Sequence, residues 1–182
     1  MALRVEPIIN GRVAPKINQY FETAEKRGAP NSIFLRVMAQ DPNSLEIFYD
    51  AWEKIFYSGS LDHGLKEMIR VKMARLRNCG YWGGVRSAAA QQDETIRAKV
   101  EATWDINDPI FTPRERAALE MATIFSESYR DFNDDQFERW KEHFTEQELV
   151  ELATFMAIAD GFGKAVEMLG VTQAQHVCKV EL

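Results

Sequence analysis

The chain has 182 residues, of which 46% are hydrophobic, 27% charged and 11% aromatic, with 10 Gly and 6 Pro. This composition excludes collagen-like, low-complexity and disordered chains, and the length suits one compact domain with a sizeable core. Lys and Arg number 22 against 28 Asp and Glu, which gives a net charge of -6. An acidic balance of this size argues against general binding of nucleic acid.

The cysteines and the start of the chain predict a cellular compartment. Cys79 and Cys178 lie far apart and lack the paired spacings of a disulfide framework or a zinc site. The first residues contain no apolar stretch typical of a signal peptide, and no run of about 18 apolar residues occurs in the sequence. We therefore expect a cytoplasmic protein that does not enter a membrane.

Helical periodicity dominates the start of the chain. Apolar residues at helical spacing predict one helix that ends at Gly28 and a short second helix that begins at Asn31. A third helix follows Pro42 and stops at the turn residues 58–60. Three helices are thus expected before residue 61.

The same periodicity continues through the rest of the chain. A fourth helix is predicted over residues 61–76, and after an interruption at 78–80 a helix is expected to restart over residues 85–92. Thr112 and Thr145 each begin a Thr-x-x-Glu capping box, which predicts the start of a helix at each position. The second half is therefore predicted to be helical as well.

The pattern as a whole predicts the fold class. No stretch alternates apolar and polar residues next to hairpin turn signals, so we predict no sheet. The expected fold is all-α, a single-domain helical bundle of about eight helices over residues 1–182. Its core is expected at about residues 45–170, with N-terminal helices at 14–40 packed on it and a tail at 171–182.

The interruption near Cys79 is where the sequence suggests chemistry. Cys79 stands at the start of a helix, where free backbone amides and the helix dipole favour a thiolate. Arg86 is expected about two turns further along on the same face, placed to lower the thiol pKa or to bind a carboxylate. Glu67 on the preceding helix can approach this junction and act as a base.

A spacing of eleven residues separates Glu67 from Cys79. This segment resembles the redox motif of the carboxymuconolactone decarboxylase and alkylhydroperoxidase D superfamily, which is Glu, eleven residues, then Cys-x-x-Cys-x-x-x-His, and Tyr81 also falls in register. The resemblance covers residues 45–170 and is most specific at 61–90. It implies an alkylhydroperoxidase D-like, all-helical homo-oligomer (dimer, trimer or hexamer) with its site near a subunit interface.

Two positions depart from the redox motif. Trp82 stands in place of the second cysteine and Arg86 in place of the histidine, so a disulfide cycle between those positions cannot run. The decarboxylase branch lacks the cysteine pair, and the resemblance therefore implies a cofactor-free lyase, or carboxy-lyase, that acts on a small carboxylated catabolic intermediate. In this hypothesis Arg86 holds the acid and Glu67 moves a proton, while Tyr81 and Trp82 shape the pocket.

Two other functions remain open. One is an alkylhydroperoxidase-like peroxide reductase, with peroxiredoxin activity, in which Cys79 works with an external thiol. Cys178 would resolve a sulfenic acid on Cys79 only if the tail folds back. The other is a non-catalytic oligomer that binds a ligand or a protein partner. The partners expected from these hypotheses are a small organic acid or hydroperoxide and further copies of the chain.

The three proposed catalytic residues also have structural interpretations. Cys79 can be a small packed hydrophobe, as most lone cysteines between helices are. Glu67 can pair with Arg70 one turn along on a solvated helix face. Arg86 can form a salt bridge between subunits. These alternatives remain open from the sequence.

The proposed substrate-binding residues are equally ambiguous. Tyr81 and Trp82 can line a pocket or belong to the core or an interface. His63 lies one turn before Glu67 and either reaches the same junction or is an exposed histidine in the first helical turn. No metal-ligand cluster and no phosphate-binding loop is evident, so neither a metal nor a cofactor is predicted.

Overall fold

The protein is described by a computed structural model covering residues 3–9 and 13–171. Within these ranges it forms ten α-helices and one π-helical turn, and no strand. The all-α prediction is confirmed. The helices are α1 Pro15–Arg27, α2 Ser32–Met38, α3 Pro42–Trp52, α4 His63–Leu76, α5 Gly80–Gly84, α6 Ala88–Gln92, α7 Glu94–Ala102, α8 Pro113–Glu127, α9 Asp134–Lys141 and α10 Glu146–Met168. The π-helical turn Glu53–Tyr57 continues directly from α3.

Side-chain caps define where the later helices begin. Thr112 and Thr145 each accept a hydrogen bond from the backbone N–H three residues on, and the Glu at that position bonds back to the cap residue. Both predicted capping boxes are therefore confirmed. Asn133 and Gln136 form the same reciprocal arrangement at the start of α9. These caps satisfy backbone donors that would otherwise lack partners.

The interruption after α4 differs from the sequence prediction. Instead of one helix over residues 85–92, two five-residue helices form, and Val85 between them has an extended backbone with ψ 139°. Ser87 then caps α6 by accepting a hydrogen bond from the N–H of Ala90 at 3.2 Å. The expectation that Cys79 and Arg86 share one helix face is consequently wrong, because the helix that Cys79 begins ends at Gly84.

Helix α4 lies at the centre of the packing. It contacts α5, α6, α7, α8, α10 and the π-helical turn. Residues 64–74 are all buried, so the helix has almost no solvated face. Four of these buried residues are charged, and a buried charge requires a partner. They are Lys66, Glu67, Arg70 and Lys72.

Lys66 joins α4 to α10 through a buried ion pair. Its ammonium donates to the Ile55 carbonyl and to Glu151, both at 2.7 Å. The Glu151 carboxylate also accepts hydrogen bonds from Ser60 and from the N–H of Leu61. A Cβ on Gly59 would collide with the ends of both charged side chains, so a larger residue there would displace the ion pair.

The longest helix is α10, with 23 residues. It buries one face against α4, α5, α8 and the π-helical turn, yet leaves Val150 and Met168 largely exposed, at 67% and 72%. Even so, none of the helices within the described ranges combines the length and apolarity that a bilayer span requires.

Glu151→Gln should destabilise the fold by about 3 kcal/mol, because it leaves the buried Lys66 ammonium without a carboxylate. Burial opposes ionisation of Glu151, but the hydrogen bonds from Lys66, Ser60 and Leu61 lower its pKa to about 2. The stability that the carboxylate contributes is therefore present above the ordinary glutamate pKa and is lost as pH falls towards 2. Urea unfolding at pH 7 and at acidic pH measures both effects.

The control for this variant is Glu138→Gln, which makes the same change in an exposed pair with Lys141. It should change the free energy of unfolding by no more than about 0.5 kcal/mol. Equal losses in the two variants would show that the Lys66–Glu151 pair does not stabilise the fold.

Candidate active site

A closed ion pair lies at the centre of the candidate site. Glu67 is completely buried, and its two carboxylate oxygens accept hydrogen bonds from Nε and Nη2 of Arg70 at 3.0 and 2.9 Å. The N–H of Ser87 donates to the same carboxylate at 2.8 Å. The pairing of Glu67 with Arg70 that the spacing allows is thus present, but it lies in the interior instead of on a solvated face.

Arg70 also fixes the backbone that follows α5. Its Nη1 donates to the carbonyl of Trp82 and its Nη2 to the carbonyl of Val85, both at 2.7 Å. Together with the bond from Ser87 to Glu67, these contacts hold residues 82–87 against α4. The ion pair therefore determines where the segment after Cys79 runs.

The electrostatics of the pair keep Glu67 ionised. Burial by itself would raise the pKa of the Glu67 carboxyl, but the charge and hydrogen bonds of Arg70 and the N–H of Ser87 outweigh it. The pKa of this carboxyl consequently lies below its ordinary value. Such a carboxylate is a weak base, which does not favour Glu67 as the group that accepts a proton.

His63 sits beside this pair and is partly exposed. Its Nδ1 lies 3.3 Å from the Phe56 carbonyl and its Nε2 lies 2.8 Å from the Ser87 hydroxyl. Because a carbonyl can only accept, Nδ1 carries the proton and Nε2 accepts from the Ser87 hydroxyl. The imidazole is therefore held in one tautomer, close to the Glu67 carboxylate.

Two further side chains continue the site towards the surface. The ring of Tyr57 stacks on His63 at a centroid distance of 5.3 Å, and the Arg27 guanidinium lies 4.4 Å from the centre of the Tyr57 ring. Arg27 pairs with Glu53, and its side chain is 39% exposed. Burial and then the charge of Glu67 raise the pKa of Tyr57, so its phenol stays protonated. Arg27 thus offers a positive charge at the accessible edge.

Cys79 lies on a different side of α5. It is 3% exposed and interacts with the carboxylate of Glu167 on α10, not with Glu67. Burial is the main cause that raises the pKa of its thiol to about 11, although backbone N–H groups of Trp82 and Tyr81 act in the opposite direction. The helix start therefore does not produce the expected thiolate. Cys178, considered as its resolving partner, lies outside the described residues.

Arg86 does not join Glu67 either. Its Nη2 pairs with Glu101 on α7 at 2.8 Å, and its Nη1 donates to the carbonyls of Gly83 and Val85. Glu101 also binds Arg75 at 2.6 Å, so one carboxylate joins two cations. The charge of Arg86 is thus covered within the chain.

Tyr81 and Trp82 are core side chains, at 1% and 2% exposure. The Tyr81 hydroxyl donates to the Asn31 side chain at 2.7 Å and ties α5 to the start of α2. The Trp82 ring packs against Trp52 with 5.2 Å between centroids, and its indole N–H is buried without a hydrogen-bond partner. The Tyr81 hydroxyl is therefore hydrogen-bonded within the fold, whereas the Trp82 indole N–H is not.

Sequence reasoning missed two residues of this site. Ser87 had a recognisable signal, because a Ser before an alanine-rich helix is a typical N-cap. Its second role is to bind the His63 imidazole, and the two residues are 24 positions apart in the sequence, so no local pattern indicates the contact. Arg27 carried no local signal, since only the packing of the end of α1 on the π-helical turn brings it to Tyr57.

Comparison with known proteins agrees with this fold. The sequence profile of the carboxymuconolactone decarboxylase family matches residues 42–123, a range that contains His63, Glu67 and Cys79. No curated protein matches the sequence significantly. The family match therefore covers the part of the chain that forms the candidate site.

Several solved structures share the fold. The apo debrominase Bmp8 has a TM-score of 0.77 at 18% identity, with 94% of this chain and 92% of that chain covered. An uncharacterised peroxidase-related protein from Silicibacter sp. TM1040 has a TM-score of 0.74 at 14% identity, with 94% and 95% covered.

A third structure is named for its alkylhydroperoxidase AhpD core. It is an uncharacterised peroxidase-related protein from Ralstonia eutropha JMP134, with a TM-score of 0.68, 18% identity and coverage of 93% of this chain and 92% of that chain. At these identities the similarity establishes the fold. The segment 42–123 is thus similar in sequence to the carboxymuconolactone decarboxylase family, and the chain has the fold of the alkylhydroperoxidase AhpD core.

Proposed function

We propose that this protein is a cofactor-free carboxy-lyase that removes carbon dioxide from a small unsaturated or lactone carboxylic acid. The observation that supports this most directly is the orientation of His63. Its imidazole is held at both nitrogens, is partly exposed and lies beside a permanent carboxylate. A histidine in such a position can carry a proton to and from a substrate.

The proposed reaction needs one proton donor and one group that holds the acid. Loss of carbon dioxide from a conjugated acid leaves an electron pair on carbon, and that carbon then takes up one proton. In the free protein the Phe56 carbonyl and the Ser87 hydroxyl hold the ring. To give its proton to the substrate carbon, the His63 ring leaves its contact with Ser87, and it then recovers a proton from solvent.

Arg27 replaces Arg86 as the proposed anchor of the substrate carboxylate. A guanidinium has five N–H donors, and Arg27 uses one nitrogen in its contact with Glu53. Its position over Tyr57 brings a positive charge to the accessible edge of the histidine site.

A second candidate is a one-cysteine reductase of peroxides. It is favoured by the names of two proteins with the same fold, both described as peroxidase-related. The debrominase Bmp8 has moreover been solved as a cysteine-to-alanine variant with 2,3,4-tribromopyrrole bound, which makes a cysteine of interest in that protein. The burial and raised pKa of Cys79 argue against a reactive thiol here.

His63→Gln should lower kcat by at least about 100-fold on any acid that the protein decarboxylates, because it removes the group that carries the proton. The assay is release of carbon dioxide from carboxymuconolactone and a panel of small unsaturated acids. The pH profile of the wild type should contain a limb that is missing in His63→Gln. A purely structural role of His63 would not remove this limb.

Glu138→Gln, on the exposed side of α9, serves as the control and should leave kcat unchanged. Urea unfolding of His63→Gln separates a loss of chemistry from a loss of fold. Full activity in a folded His63→Gln protein would contradict the proposal. Tight binding of the acids without turnover would favour the non-catalytic oligomer instead.

Cys79 should resist alkylation until strongly alkaline pH, because burial raises the pKa of its thiol to about 11. The measurement is the rate of reaction with iodoacetamide against pH in a Cys178→Ser background. The same protein in urea provides the reference, since an exposed thiol titrates near about 8.5. An apparent pKa below about 7 in the folded protein would instead support the peroxide reductase.

A further inference from the structure

A pocket lies at the start of α8, and none of its lining residues belongs to the candidate active site. Its volume is about 440 Å³, within the range of roughly 300 to 1,000 Å³ that small-molecule sites occupy. It is bordered by α8, by α9 and by the loop before α8. Its lining, here called the Arg116 pocket, includes Ile106, Pro113, Arg116, Ala117, Glu120 and Trp140.

Arg116 brings a positive charge to this pocket without a matching carboxylate. Its Nη2 donates to the Phe111 carbonyl at 2.8 Å, and its Nε is buried without a hydrogen-bond partner. Among the residues that the structure describes, no carboxylate lies within 4 Å of this guanidinium. The charge of Arg116 is therefore not balanced by an ion pair among these residues, and an anionic ligand in the pocket would supply the missing partner.

The expected partner of Arg116 is engaged elsewhere. Glu120 lies four residues further along α8, a spacing at which opposite charges usually pair. Its carboxylate instead accepts a hydrogen bond from the Trp140 indole at 2.9 Å and lies 3.5 Å from Arg139. The Glu120 carboxylate thus binds the Trp140 indole and Arg139 and does not neutralise the charge of Arg116.

The remaining lining defines the kind of ligand. Ile106, Pro113, Ala117 and Trp140 provide apolar surface, Arg139 lies at the edge in its pair with Glu120, and Glu142 and His143 complete the border. Glu142 is exposed to solvent, where its charge is screened. A carboxylate matches the flat fork of a guanidinium, and an apolar body matches the rest of the lining.

We propose that the Arg116 pocket binds a small organic carboxylate with a flat or apolar body, through the guanidinium of Arg116. This site shares no residue with the proposed active site and does not depend on the proposed reaction. The carboxylate can come from a free acid or from an acidic side chain of a second copy of this chain. We expect the ligand to be the free acid.

Benzoate is a suitable probe, with benzamide as its uncharged counterpart. The Trp140 indole N–H signal, assigned in a nuclear magnetic resonance spectrum by its loss in Trp140→Phe, should shift on titration with benzoate. Benzamide should bind at least tenfold more weakly because it lacks the charge that Arg116 recognises. Equal binding of the two compounds would overturn the proposal.

Variants test whether Arg116 itself is responsible. Arg116→Gln should weaken benzoate binding at least tenfold, and Arg116→Lys should weaken it less because the charge remains without the fork. Arg130→Gln is the matched control, since Arg130 is exposed and contacts only Tyr129 among the contacts described. It should change the affinity by less than twofold. Unchanged affinity in Arg116→Gln would reject the assignment.

Sedimentation in the presence and absence of benzoate distinguishes the two sources of the carboxylate. A free-acid site predicts the same oligomeric state under both conditions. Dissociation of an assembly by benzoate, in the wild type but not in Arg116→Gln, would show that a second copy supplies the carboxylate and would overturn the proposal. The comparison of benzoate with benzamide uses the unaltered protein, so it holds even if Arg116→Gln fails to fold.

Discussion

The buried pair of Glu67 and Arg70 is the interaction on which the rest of the site depends. Two charges in the interior are tolerated only when their hydrogen-bonding groups are satisfied. Arg70 reaches that condition by binding the carbonyls of Trp82 and Val85, and Glu67 by accepting the N–H of Ser87. These hydrogen bonds hold the segment after α5 against α4. Its position in turn places the Ser87 hydroxyl against His63.

Glu67 and His63 have different environments in this arrangement. Glu67 is closed off by Arg70 and stays a carboxylate, so it contributes electrostatics and not proton exchange. His63 is partly exposed and has one nitrogen that accepts from a hydroxyl. The division of roles between the two residues supports acid–base chemistry over thiol chemistry.

Much of the fold follows from local patterns that the sequence displays. The capping boxes at Thr112 and Thr145 are confirmed because they need only residues three positions apart. The pairing of Glu67 with Arg70 is local in the same sense. Its burial is not, since it requires the segment that α5 and α6 bring over α4.

The structure places Arg86 and Cys79 differently from the sequence expectation for one physical reason, which is dependence on distant contacts. The partner of Arg86 is Glu101 on α7, and the group beside the Cys79 thiol is Glu167 on α10. Neither contact has a signature in the spacing around the interruption. The position of the second motif cysteine is likewise filled by Trp82, whose carbonyl binds Arg70 and whose ring packs on Trp52. Because that position now supports the ion pair, the proton carrier that we propose is His63, one turn before Glu67.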